Sequence, residues 1–87
     1  MKIWARIWKD NHMIRDYTVV DEQEDTRTHK VFRALEEICH HFDLGQPIWL
    51  DSSVREFQKH SRVRFGRDSF IEAIDFDYLD LMVLEED

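Results

Sequence analysis

From Lys2 to Lys9 the side chains alternate strictly, with Ile3, Ala5 and Ile7 on one side and Trp4, Arg6 and Trp8 on the other, which is the period of a β-strand. Asp10-Asn11-His12 follows, a group that tolerates positive φ, and a second alternating run occupies Met13 to Val20. Together these predict a tight β-hairpin. Whatever the exact register of the pair, the alternation puts Trp4, Arg6, Trp8, Met13, Arg15, Tyr17 and Val19 on one sheet face. Ile3, Ala5, Ile7, Ile14, Thr18 and Val20 fall on the other, the expected core side.

Beyond the acidic connection Asp21–Asp25 the period changes to that of a helix. Val31, Phe32, Leu35, Ile38, Cys39 and Phe42 form one stripe opposite Lys30, Arg33, Glu36 and Glu37, with Thr26 or Thr28 as N-cap and Gly45 as the expected left-handed C-cap ahead of Pro47. Ile48-Trp49-Leu50 reads as a short buried strand or extended connector. Ser53 and Glu56 stand at capping-box spacing for a second, shorter helix carrying Val54 and Phe57. Arg62–Phe65 alternates and ends at Gly66, as a short strand or a basic loop would; Asp68-Ser69 can cap a further turn, and Ala73–Leu84 reads as a final strand. The order predicts a small α+β domain: an N-terminal hairpin and a C-terminal strand in an antiparallel sheet, covered on one side by one main amphipathic helix and a short second one.

With 87 residues, 43% of them hydrophobic, the chain suits one domain over residues 1–87. No apolar run is long enough to span a bilayer, and Arg6 and Lys9 interrupt the place where a signal peptide keeps an apolar region, so no membrane partner is expected. The lone Cys39 permits no internal disulfide, in keeping with a reducing cytoplasm and with the cast of a small bacterial protein, although one thiol can still bridge two chains. The net charge of −7 is unevenly spread: residues 1–54 hold seven Lys/Arg and ten Asp/Glu, residues 55–67 five and one, residues 68–87 none and eight. Whether Asp75, Asp77 and Asp80 neutralise Arg62, Arg64 and Arg67 decides whether the basic segment is a free patch.

Catalytic signals are weak, and no enzyme activity is expected. Glu36 with His40 and Glu37 with His41 stand at i, i+4 and could hold a metal, but adjacent histidines on a helix point about 100° apart, so the two pairs make no single site unaided. Histidines in a last helical turn also suit the helix dipole, and Cys39 falls on the apolar stripe; no metal or cofactor is assigned. A thiol at a helix C-terminus is not activated, the serines lack a nucleophile elbow, and both glycines stand alone, so there is no phosphate loop. Alternating Asp75, Asp77 and Asp80 read as the wet face of a strand.

The aromatic hairpin face carries more information. Trp4, Trp8 and Tyr17 interleaved with Arg6 and Arg15 suit a core wrapped on both sides, a protein or homodimer interface, or a platform for stacked bases. The expectation is a non-enzymatic protein-interaction or regulatory module that binds a protein partner or a second copy of itself through Trp4, Arg6, Trp8, Arg15 and Tyr17. The alternative is a nucleic-acid-associated protein using Arg55, Lys59, Arg62, Arg64 and Arg67, against which the acidic total weighs.

Overall fold

The computed structural model describes residues 1–87. Strand β1 (Lys2–Lys9) turns through Asp10 and Asn11, both at positive φ, into β2 (His12–Val20), a two-residue connection whose handedness matches the strand twist. Helix α1 (Arg27–Phe42), helix α2 (Asp51–His60) and strand β3 (Arg62–Gly66) follow, then a single 3₁₀ turn at Arg67–Ser69 and strand β4 (Tyr78–Glu85). The four strands form one antiparallel sheet in the order β2-β1-β4-β3, which puts the last strand beside the first. Two helices with one antiparallel sheet make the small α+β domain that the pattern predicts.

Both helices pack on the same sheet face. Ile3, Ala5 and Ile7 of β1, Leu79 and Leu81 of β4, and Val63 and Phe65 of β3 are buried there against Val31, Ala34, Leu35, Ile38, Cys39 and Phe42 of α1 and Phe57 of α2. Trp49, on the extended connector Ile48–Leu50, seals the layer edge-on against both Phe57 and Phe65, with ring centroids 5.8 and 4.9 Å apart.

Four details depart from the sequence pattern. The register of β2 shifts between Ile7 and Trp8: Trp8 pairs with Met13 but Ile7 pairs with Arg15, leaving Ile14 as the extra residue of a β-bulge. Met13 therefore shares a face with Trp8 as expected, whereas every side chain after the bulge is inverted. Arg15, Tyr17 and Val19 point to the helices, and Asp16 and Thr18 point away. Second, Asp43, not Gly45, takes the left-handed C-cap of α1 (φ 58°), and the amide of Gly45 donates to Glu72 Oε1 at 2.6 Å.

Third, no capping box forms in α2. The helix starts at Asp51 with Leu50 as N-cap, Ser53 is buried, and Glu56 instead accepts from the Arg64 amide of β3 at 3.2 Å, which occupies an outward-facing donor on that edge strand. Fourth, β4 begins at Tyr78; Phe76 anchors the irregular approach by packing edge-on against Phe70. Thr26 does cap α1, accepting from the His29 amide. Its first turns are tied to the preceding acidic connection by Arg33, which binds Asp21 and Asp25; the Gln23 amide and then Arg33 hold the Asp21 carboxyl below the usual range, and Arg33 with His29 does the same for Asp25. Buried Lys30 bonds Asp87, which also accepts from the Met1 amine.

Candidate functional site

The face of the sheet turned away from the helices has no covering layer, and its side chains fall into three cross-strand rows fixed by the strand register. The middle row runs Asp16–Arg6–Asp80–Arg64 across β2, β1, β4 and β3. One flanking row is Thr18–Trp4–Met82–Arg62, the other Met13–Trp8–Tyr78–Gly66. An antiparallel sheet with one wet face ordinarily alternates apolar-in with polar-out. Here the outer positions of the two central strands are Trp, Trp, Tyr and Met around a pair of opposite charges.

Those charges are packed into the apolar surface. Arg6 donates to Asp80, the carboxylate of which is only 1% exposed, and the Arg6 guanidinium lies 4.6 Å from the Trp4 ring and 5.3 Å from the Trp8 ring. Arg64 stacks over Tyr78 at 4.5 Å, Tyr78 lies against Trp8 at 6.2 Å, and Trp4 Nε1 donates to Asp16 at 2.9 Å. Three polar atoms inside this cluster, Arg6 Nε, Asp80 Oδ1 and Trp8 Nε1, are buried without a hydrogen-bond partner. A planar aromatic surface with stacked guanidinium groups is low in conformational freedom, since each ring and each fork is held by its neighbours. Such surfaces lose little entropy when they are covered.

The five hairpin residues are thus split. Trp4, Arg6 and Trp8 lie together on the outer face, while the bulge at Ile14 turns Arg15 and Tyr17 onto the helix side. There Arg15 stacks over Phe42 at 4.7 Å. Tyr17 lies flat on His41, with centroids 3.9 Å apart and planes 11° apart, and its hydroxyl donates to Glu37 Oε2 at 3.0 Å, which raises the phenol pKa. The two residues bind β2 to the end of α1. In their place the register supplies Tyr78 and Met82 of β4, which the sequence pattern assigns to the final strand without revealing that β4 lies beside β1.

The basic segment is divided as well. Arg62 and Arg64 project from the outer face of β3, Arg55 and Lys59 are exposed on α2 in the helical layer, and Arg67 lies 3.6 Å from Asp77. Asp80 is opposite Arg64 in register but bonds Arg6, so the acidic stretch meets the basic segment in the Arg67–Asp77 pair and leaves Arg62 and Arg64 as that segment's outer-face cations.

A second apolar feature lies between the helices: a cleft of about 250 Å³ lined by Val31, Phe32, Trp49, Val54 and Phe57, with Arg27 at its rim. Phe32 is 50% exposed although it belongs to the helical stripe, because α2 stands off from it and only the Trp49 edge, 6.2 Å away, reaches the ring. The histidine–glutamate pairs are separated. His41 and Glu37 are both engaged with Tyr17, and no three His, Cys, Asp or Glu side chains converge on one point.

Cys39 is buried on the core side of α1, and burial, with a smaller contribution from Glu72, raises its thiol to about 11. At pH 8 the native protein is therefore expected to react with a disulfide reagent at least about 100-fold more slowly than the urea-unfolded chain, whose thiol has a pKa of about 8.5. Equal rates in the two states, followed by absorbance of the released thiolate, would show an accessible thiol.

No helix is long and apolar enough to cross a membrane. Compared with known proteins, the chain matches no family model, no curated protein and no solved structure, so its function has to be argued from its own residues.

Proposed function

We propose that this domain is a non-enzymatic, cytosolic protein-interaction module that binds through the outer face of its sheet, with Trp4, Trp8, Tyr78 and Met82 as the apolar contact and Arg6, Arg62 and Arg64 as its polar anchors. The observation that carries this reading is the aromatic character of a sheet face that no other part of the chain covers. Tyr, Trp, Met and Arg are the residues enriched at the centres of protein interfaces, where large rigid side chains exclude water. The test is capture from an extract of the source cell on immobilised wild-type chain and on a Trp4→Thr/Trp8→Thr variant shown by circular dichroism to be folded. Partners held by the wild type and released by the variant, then reconstituted as purified proteins, would support the face; identical captures by both would sink it.

One observation favours a second reading, in which the same face takes single-stranded nucleic acid: Arg62 ends the row that holds Trp4, and Arg64, in the next row, stacks over Tyr78, so stacking surfaces and phosphate-binding groups are adjacent. Against it, Asp16 and Asp80 share the middle row, and Arg55 and Lys59 are in the helical layer. A salt series separates the two readings, since several phosphate contacts make affinity fall steeply with ionic strength. Failure to retain labelled oligonucleotides at about 50 mM salt would remove the nucleic-acid reading.

A further inference from the structure

Resting on the outer face as an interaction surface, we infer that its occupant is a second copy of this chain, stacked face to face about a two-fold axis that runs parallel to the strands. The charge order of the middle row selects this arrangement. Read across the sheet it is minus, plus, minus, plus: Asp16, Arg6, Asp80, Arg64. A two-fold axis parallel to the strands lays β2 over the partner's β3 and β1 over its β4. Each position then meets its opposite: Asp16 faces the partner copy's Arg64, and the Arg6–Asp80 pair faces the same pair reversed.

The flanking rows match in shape under the same operation. Trp4 covers Met82, Trp8 covers Tyr78, and Met13 falls on Gly66, the one position of the face without a side chain. The other in-plane axis, perpendicular to the strands, sets Asp16 on Asp16 and Arg64 on Arg64 and is excluded by repulsion. A two-fold interface must be self-complementary, and this row is so about one axis and not the other.

Geometry and size allow the stack. Packed sheets lie about 10 Å apart and are turned by about 30° relative to each other. At the edge strands that turn slides the two surfaces past one another by only about 4 Å, within the reach of an arginine. Four strands at about 4.8 Å spacing and about seven residues of length present roughly 450 Å² of plan area on each copy. Side-chain relief makes the accessible area larger, so the interface clears the roughly 1,000 Å² total expected of a specific contact but stays at the small end of the range. Association in the micromolar range follows. It also covers the apolar surface around Arg6 and Asp80, the part of the face richest in buried, unpartnered polar atoms.

Thr18 provides the sharpest test because it is exposed on β2 and faces the partner copy's Arg62. Sedimentation equilibrium up to high micromolar concentration is expected to show a wild-type monomer–dimer equilibrium, tightened about threefold by Thr18→Glu and loosened about threefold by Thr18→Arg. On a chain of net charge −7 a nonspecific contact would respond in the opposite sense to both. Asp16→Arg and Arg64→Asp are each expected to weaken the dimer about tenfold, and the two combined, with folding checked by circular dichroism, to recover most of that loss. A wild type that remains monomeric throughout overturns the dimer alone and leaves the outer face to another partner, judged by the capture experiment. A dimer weakened by Thr18→Glu overturns the axis. A dimer indifferent to all four substitutions is built elsewhere and overturns both the stack and the reading of the face on which it rests.

Discussion

An Asp80→Ala variant is expected to lose about 3–5 kcal/mol of stability, because it strands the Arg6 guanidinium without its counter-ion in a setting largely withdrawn from water. For 87 residues, total stability of about 4–13 kcal/mol is usual, so this single change removes a large share of it and lowers Tm by more than about 12 °C. The pair is not there because it is strongly favourable. Asp80 uses one carboxylate oxygen on Arg6 and leaves Oδ1 without a partner, and Arg6 leaves Nε so, which means that the desolvation of both charges is incompletely offset. Replacing both partners at once, Arg6→Met with Asp80→Leu, is therefore expected to be neutral or stabilising by up to about 4 kcal/mol. Urea titrations of the wild type, both single variants and the double variant give the coupling energy directly. A loss below about 1 kcal/mol in Asp80→Ala would mean that water reaches the pair and that the outer face is looser than its packing implies. The double variant has a second use: a dimer that survives it relies on the flanking aromatic rows and the Asp16–Arg64 ends, not on the centre.

The same cluster shows which parts of this molecule were legible in the sequence. The strict alternation of β1 assigned Trp4, Arg6 and Trp8 to one face and Ile3, Ala5 and Ile7 to the core, because one strand carries its own period. For β2 the period had to be carried across a turn and along the strand, and one bulged residue, Ile14, reversed everything after it. The adjacent apolar pair Met13-Ile14 and the polar pair Arg15-Asp16 break the alternation at that point, but a break of this kind does not by itself fix which residue bulges. What decides it is tertiary: the inverted register buries Val19 and delivers Tyr17 to Glu37 and His41, contacts that exist only once α1 is docked.

Caps were readable where the side chain had no competing partner, as at Thr26, and unreadable where it had one. Glu56 satisfies an edge amide of β3 in place of its own helix end, and Asp43 accepts a left-handed conformation two residues before the glycine that the pattern favours. The contribution of Tyr78 and Met82 to the outer face was out of reach for a different reason. Strand order is a non-local property, and the position of β4 between β1 and β3 cannot be deduced from any one segment.

Truncating Phe65 to Ala is expected to cost about 3–5 kcal/mol, while the same truncation of Phe32 should cost less than about 1 kcal/mol. Both are phenylalanines at apolar positions of well-formed elements, so sequence pattern alone ranks them equally. Phe65 is wholly buried on β3, opposite Leu79 in register and edge-on to Trp49 at 4.9 Å, and is thus the side chain through which the short edge strand, the connector and α2 meet. Its removal leaves a cavity between two layers that cannot close without moving Trp49, and it also forfeits the ring pair. Phe32 is half exposed at the mouth of the cleft between the helices and loses only the exposed edge-on contact with Trp49. Urea unfolding monitored by circular dichroism should show a lower midpoint at unchanged slope for Phe65→Ala, the mark of a lost contact in an intact fold, and near wild-type behaviour for Phe32→Ala. Equal losses at both positions would mean that α2 closes over Phe32 in solution, and the cleft with Arg27 at its rim would then be part of the core.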